Sequence, residues 1–370
     1  MQESDLATLS QKVLAAAFAL SALFGAVAQR THFCTMGALS DAYNLRDFNR
    51  LRQWGLAVGI AAFGYAALVA WGGLDPARTL YATDRVLWLS ALVGGAMFGF
   101  GMVLASGCGS KTLVRVGAGS LKALVVMVVM GVAAYATLRG VTAVARVATV
   151  DRISFVPAGG TSLSGQLQSL GLSAGSAALS AALVVGTALM VWALAARDFR
   201  TRDNLLAGTG VGLAVAGMWW ASGWLGHVAE HPLTLEDVYI TTNSGRAEAM
   251  TFTAPMGYLL DWLMFFSDKN KVLTFGVVSV LGTVAGAAAM ALASGRFQWE
   301  GFASTEDLAN HLVGAVLMGV GGVTAMGCTV GQGLSGLSTL SFNSMLAVAG
   351  IAAGAIAAFR YQIWRLERAG

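Results

Sequence analysis

The chemistry this sequence could perform is concentrated in its three cysteines. Cys34, Cys108 and Cys328 each stand at the end of an apolar run, next to glycine or a polar residue. Cys34 lies in Thr31-His32-Phe33-Cys34-Thr35-Met36-Gly37, Cys108 in Ser106-Gly107-Cys108-Gly109-Ser110-Lys111, and Cys328 in Met326-Gly327-Cys328-Thr329. A thiol is a weak hydrogen-bond donor whose ordinary pKa is about 8.5. It holds a hard oxyanion less well than a hydroxyl does; its particular use is toward soft partners such as sulfur, selenium or a soft metal. One cysteine in an apolar helix is ordinarily a small buried hydrophobe. Three out of three at run ends point instead to a constructed site. Three is an odd number, which excludes a fully paired disulfide framework, and no CxxC or Cys/His cluster with metal spacing occurs. No metal and no cofactor is expected.

Two of these cysteines sit in related surroundings. Gly99, Gly101, Val103, Ala105, Gly107 and Cys108 match Gly319, Gly321, Val323, Ala325, Gly327 and Cys328 at constant offset. A helix broken at such a point frees backbone N–H and C=O groups, and glycines let a ligand approach them. A short helix that begins there offers its first N–H groups to an anion. At the first break Ser106, Ser110, Lys111 and Thr112 add a charge and hydroxyls; at the second, Thr324, Thr329, Gln332 and Ser335 add neutral donors. Candidate substrate-binding residues are thus Cys34, Cys108, Cys328, Gly107, Gly109, Lys111, Gly327 and Gln332, with the principal anion site at Lys111. The Gly99/Gly101 and Gly319/Gly321 pairs read as helix-packing faces, because no strand–loop–helix context for phosphate binding surrounds them.

The chain around these breaks is that of a membrane protein. Its 370 residues are 56% hydrophobic and 11% charged, against roughly 25% charged in soluble domains. Apolar runs at about 13–29, 54–74, 86–106, 121–138, 174–196, 205–225, 272–293, 308–326 and 341–359 predict nine transmembrane helices. With 47 glycines and 4 prolines, these helices are suited to close packing. The first run lacks a small-residue cleavage site and reads as a span. Segment 250–266 and the stretches after Cys108 and Cys328 read as short re-entrant helices; 140–171 holds further short or amphipathic ones. The fold class is an all-α polytopic membrane protein in a single domain.

Lys and Arg cluster after the first, third, fifth, seventh and ninth runs. The net charge of +4 therefore reads as topology, not as nucleic-acid binding. The positive-inside rule puts the N-terminus in the periplasm and the C-terminus in the cytoplasm of an inner (plasma) membrane. The runs that end at Cys108 and Cys328 then point in opposite directions. Inverted repeats follow: one at about 13–139, a second at about 205–359, joined by a linking helix at about 174–196. Ala26-Val27-Ala28 aligned with Ala214-Val215-Ala216 places Cys34 opposite Ser222. No carboxylate lies within a span and no nucleotide-binding motif occurs, which argues against a carboxylate relay or direct use of ATP.

At these residues the chain resembles the YeeE/YedE family of sulfur-compound transporters, whose better-understood members take up thiosulfate. HFCTMGAL at 32–39, ASGCGSKTLVRVG at 105–117 and MGCTVGQGLSG at 326–336 carry the likeness. The resemblance implies an hourglass-like inverted-repeat protein, with short helices dipping in from both sides. It implies that Cys34, Cys108 and Cys328 pass thiosulfate along by transient S–H···S contacts, without enzymatic chemistry. Some members of the family carry a small sulfur-carrier domain or are encoded beside one; none follows residue 370, and whether a separate sulfur-carrier protein receives the sulfur stays open. Two alternatives stay open: a membrane thiol redox enzyme or sensor, and a permease for selenium, a soft metal or another sulfur species.

Overall fold

Small-residue helices dominate because their glycines and alanines let backbones approach closely inside a bilayer. The computed structural model describes residues 3–232 and 235–369. In chain order the elements are α1 (Glu3–Thr31), α2 (Thr35–Ser40), α3 (Asn49–Ala70), α4 (Trp88–Leu104), α5 (Gly109–Gly117), α6 (Leu121–Arg139), α7 (Val141–Ala148), α8 (Leu163–Ser169), α9 (Ala174–Ala181), α10 (Thr187–Ala195), α11 (Arg202–Trp219), β1 (His227–Val228), β2 (Val238–Tyr239), α12 (Thr253–Met264), α13 (Phe275–Ala293), α14 (Thr305–Thr324) and α15 (Phe342–Ala369). The two strands, two residues each, pair antiparallel. Hydroxyls start several helices: Ser120 accepts from Ala123 N, Thr201 from Asn204 N and Ser304 from Asp307 N.

Among the described residues, eight helical stretches are long and apolar enough to cross a membrane. The ninth expected span, 308–326, forms as the 20-residue α14. Glu306, Asp307, Asn310 and His311 crowd its first turns, which leaves it less apolar than the other eight. The protein is an all-α polytopic membrane protein. Segment 250–266 yields the 12-residue α12, and the stretch after Cys108 yields the nine-residue α5, both too short to span.

The packing has a regular plan. α1 lies against α13 and α3 against α11; α4 lies against α15 and α14 against α6. Exchanging α1, α3, α4 and α6 with α11, α13, α14 and α15 maps this set of contacts onto itself. α9 and α10, joined through a wide helical turn, pack chiefly on α3 and expose Leu183, Val184, Val191 and Trp192 outward.

At the centre α4 crosses α14 at glycines. A Cβ on Gly101 would stand 2.6 Å from the Gly314 carbonyl oxygen, and one on Gly314 would stand 2.6 Å from that of Gly101. Gly94 and Gly321 stand in the same reciprocal relation, at 2.7 and 2.6 Å. No side chain fits there, so the two helices that lead to Cys108 and Cys328 meet backbone to backbone.

Extended segments brace the turns that follow the short helices. Gln298 N donates to Ala118 O at 3.0 Å and Leu121 N to Glu300 O at 2.9 Å. The Glu300 carboxylate binds Arg115 at 2.9 Å and Lys122 at 2.8 Å. On the other half Leu163 N donates to Leu340 O at 3.1 Å and Phe342 N to Thr161 O at 2.9 Å.

Candidate functional site

Each break is a helix stop followed at once by a helix start. After α4, Gly107 N donates to Met102 O at 2.8 Å and Ser106 N to Val103 O at 3.2 Å. After α14, Gly327 N donates to Gly322 O at 2.7 Å and Met326 N to Val323 O at 3.0 Å. These paired bonds form a Schellman closure, which glycine normally permits at the left-handed position. Here Ser106 (φ 54°) and Met326 (φ 59°) occupy it, and His32 (φ 54°) adopts the same conformation after α1. Each of these three left-handed residues stands two positions before a cysteine. The turn thus delivers every thiol to the first, unbonded N–H groups of the next helical segment.

Cys34 caps α2, its Sγ accepting from Gly37 N at 3.5 Å. Cys328 does the same for its short helix, accepting from Gly331 N at 3.4 Å. Cys108 precedes α5 with an extended backbone and no such cap; its Sγ lies 3.3 Å from Ser110 Oγ and 3.9 Å from Thr35 Oγ1. All three are free, buried thiols.

The fold brings them together across 294 positions of sequence (34 to 328). Cys34 and Cys108 are neighbours: Thr35, the residue after Cys34, places its Oγ1 3.9 Å from Cys108 Sγ. A methyl on Gly109 would lie 4.0 Å from Cys328 Cβ, 3.5 Å from Met130 Cε and 3.9 Å from Met256 Cε, so the start of α5 stands beside Cys328 in sulfur-rich surroundings. Thr329 Oγ1 faces the Cys108 thiol; it is buried and has no partner that meets hydrogen-bond geometry. A buried hydroxyl left in this state can receive a ligand, and of the several in this chain Thr329 is the one beside a thiol of the junction.

Charge is asymmetric about the thiols. Lys111 follows Cys108, its stem packed 3.3 Å from where a Gly107 Cβ would stand. No carboxylate pairs with it among the described residues. His32 Nε2 and Arg296 lie 3.2 Å apart, and Arg50 Nε pairs with Asp41 at 3.3 Å. Lys111, Arg296 and Arg50 act electrostatically on His32 against Asp203 alone, so cations outnumber acids on the Cys34–Cys108 side.

Two cavities adjoin the cluster. One, of about 390 Å³, is almost wholly apolar and reaches Thr35 and Thr329 past Trp54, Trp192, Leu337 and Ile351. The other, of about 210 Å³, lies behind the second break. Met326 and Gly327 form part of its wall, with Arg146, Asn243, Ser244, Glu248, Thr251 and Tyr258.

Of the residues picked out by sequence, Cys34, Cys108, Cys328, Gly107, Gly109, Lys111 and Gly327 all stand at this junction. Gln332 is there too, but its amide serves the frame: Nε2 donates to Ala325 O, and Oε1 accepts from Ser344 Oγ. Thr35 was missed, although the Cys-Thr pair at 34–35 and 328–329 was a signal for it. Arg146 and Glu248 were missed because nothing in their spacing ties them to the breaks.

A family profile described as Sulphur transport matches residues 30–357. The chain belongs to this YeeE/YedE sulfur-transport family. Among curated relatives, the thiosulfate transporter TsuA of Spirochaeta thermophila is 26% identical over 340 residues, covering 88% of this chain and 92% of that protein. The thiosulfate transporter TsuA of Escherichia coli is 27% identical over 316 residues, covering 85% of this chain and 84% of its own. Both breaks and Cys34 fall inside the matched family region.

Proposed function

We propose that the chain carries thiosulfate, or a closely related sulfur oxyanion, inward across a bacterial inner membrane along its three thiols. One observation carries this reading: three free, buried cysteines distant in sequence meet at two helix breaks, beside a hydroxyl and a lysine that have no partner among the described residues. The relatives named as thiosulfate transporters support the choice of substrate.

Thiosulfate offers hard oxygens and one soft terminal sulfur. Lys111, the α5 N–H groups and Thr329 Oγ1 suit the oxygens; the thiols suit the sulfur as S–H···S donors. Each contact is weak, so the ion can leave one thiol for the next without a covalent step. Burial strengthens each contact by lowering the local dielectric.

With the N-terminus in the periplasm, α14 runs outward and the Cys328 break faces the outer side. α1 and α4 run inward and bring Cys34 and Cys108 to the cytoplasmic side, among Lys111, Arg50 and Arg296. The self-mapping contact set supports two inverted repeats, about 13–139 and 205–359, joined by the linking helix at about 174–196. A separate sulfur-carrier protein would then receive the anion near Lys111. No bond of the substrate is broken on this route, so the chain acts as a transporter and not as an enzyme.

The test is uptake of labelled thiosulfate by Cys→Ala variants at matched expression. Cys108→Ala abolishes uptake, and Cys34→Ala and Cys328→Ala strongly reduce it; wild-type rates in all three refute the thiol path. Competition by selenite, sulfite and sulfate ranks the substrates. The closeness of Cys34 to Cys108 favours one other reading, a redox thiol pair. Mass spectrometry without reduction separates the two: a stoichiometric Cys34–Cys108 disulfide that cycles with substrate supports the redox pair.

A further inference from the structure

Glu248 is an acidic side chain in an unusual place. It lies between β2 and α12, is 6% exposed, and lines the cavity behind the Cys328 break. Its backbone is pinned to the wide helical turn that follows α11: Glu248 N donates to Ser222 Oγ at 3.1 Å, and the same hydroxyl donates to Glu248 O. Its Oε1 accepts from Ser244 N at 3.1 Å and from Ser244 Oγ. No Lys, Arg or His forms an ion pair with it among the described residues.

The groups facing it come from several elements. α7 and the turn after it present Arg146, whose Nε lies 3.5 Å from Asp151 Oδ2. α12 presents Tyr258 and, further off, Asp261, which Lys271 and Tyr135 of α6 hold by ion pair and hydrogen bond. Arg139 of α6 acts on Tyr258 electrostatically. The connection between α3 and α4 presents Tyr81, which donates to Gly331 O at 2.6 Å, and the second break presents the Cys328 thiol. The neighbouring Arg246 is turned away onto Ala82 O. Asp151 and Asp261 are each held by a cation; Glu248 is the carboxyl of this wall without one among the described residues.

A negative carboxylate and an anion cannot share so small a chamber comfortably. Little water separates them, and like charges at close range repel strongly. A protonated carboxyl has no such conflict and adds an O–H donor. We propose that Glu248 is a proton site controlling admission of the sulfur oxyanion to the thiol path. A proton from the aqueous phase binds its carboxyl, the anion occupies the cavity beside Arg146 and passes to Cys328, and the proton returns to water. Burial raises the Glu248 pKa above the ordinary carboxylate value, despite the opposing Ser244 bonds, which brings the switch toward working pH. This inference rests on the function proposed above.

The test uses the full chain in liposomes with the interior pH clamped and the exterior pH varied. Initial uptake of labelled thiosulfate is read; thiosulfate is the anion of a strong acid and keeps its charge throughout. Wild-type rate falls as pH rises, by about tenfold per unit beyond the midpoint, as for one proton. Glu248→Gln, neutral at every pH and close in shape, holds the acid-side rate across the range. Ser244→Ala, which removes a donor that favours the ionised form, moves the wild-type midpoint to higher pH. A pH-independent wild-type rate, or a Glu248→Gln profile that follows the wild type, overturns the proposal. Should Glu248→Gln fail to fold, an unmoved midpoint in Ser244→Ala overturns it and a raised one supports it. Failure of the function itself looks different: no thiosulfate uptake at any pH, with wild type and Cys108→Ala alike.

Discussion

The crossing of α4 with α14 allows a quantitative test, because a methyl on Gly101 and one on Gly314 would each press first on the other's carbonyl oxygen. Gly314→Ala places a methyl 2.6 Å from Gly101 O, 2.8 Å from Ala105 N and 3.0 Å from Ala105 Cβ. Gly101→Ala places one 2.6 Å from Gly314 O and 3.0 Å from Met318 N. Ordinary contact begins at 3.4 Å, so the helices must part by 0.8 Å. Backbone atoms have no rotamer to change, and relief must come from moving a helix. Overpacking of this kind costs about 1–3 kcal/mol. Both methyls press on the same place, so the first separation relieves part of the second clash. The double variant should therefore cost less than the two single costs combined, by about 0.5 kcal/mol or more. Unfolding midpoints in detergent measure the cycle, and uptake in liposomes reads its functional consequence. Uptake should fall further than stability does, because parting α4 from α14 draws Cys108 away from Cys328. Strictly additive stability losses, or single variants as stable as wild type, refute the reasoning.

Three further outcomes follow from named contacts. Lys111→Gln weakens thiosulfate binding by about 2 kcal/mol, roughly thirtyfold in apparent KM, and leaves the melting temperature unchanged, since Lys111 holds no ion pair among the described residues. Thr329→Val lowers uptake without lowering stability, because deleting an unpartnered buried hydroxyl is neutral or stabilising; a stability loss near that of a broken hydrogen bond contradicts the assignment. Burial opposes ionisation of Glu300, but Lys122 and Arg115 hold its carboxyl down to about 2 from the usual 4.5. Its folded pKa is depressed, so its stabilisation is present above the unfolded value and lost as pH falls from 4.5 toward 2. Glu300→Gln should be less stable at neutral pH by about 1 kcal/mol or less, as befits an exposed pair, and indistinguishable in strong acid.

The helices and the breaks were legible because their causes are local. Apolar run length predicts a span, and glycine beside cysteine at the end of a run predicts a stop. α14 shows the limit of that logic: it forms where expected, while its polar first turns set it apart from the other eight spans. Gln332 shows another. Its residue type marks it as a donor, but whether an amide is free for a ligand depends on neighbours such as Ala325 and Ser344. Cys34 shows a third. Internal alignment set it opposite Ser222, whereas the fold places it beside Cys108 and uses Ser222 to hold the backbone of Glu248. Alignment relates equivalent positions of two halves, not positions that touch.

By itself, then, the sequence determined a polytopic helical chain, two matched interruptions of it and three thiols at helix ends. Hydropathy, glycine content and residue spacing act over a few turns, and the chain carries them wherever it goes. Tertiary structure alone decided that the thiols meet, that Thr329 is left without a partner and that a carboxyl from a non-helical segment lines the cavity behind Cys328. Those facts depend on which helix faces which. That is fixed by backbone contact at Gly101 and Gly314 and by the bracing segments, and a one-dimensional pattern gives the face of a helix but not its neighbour.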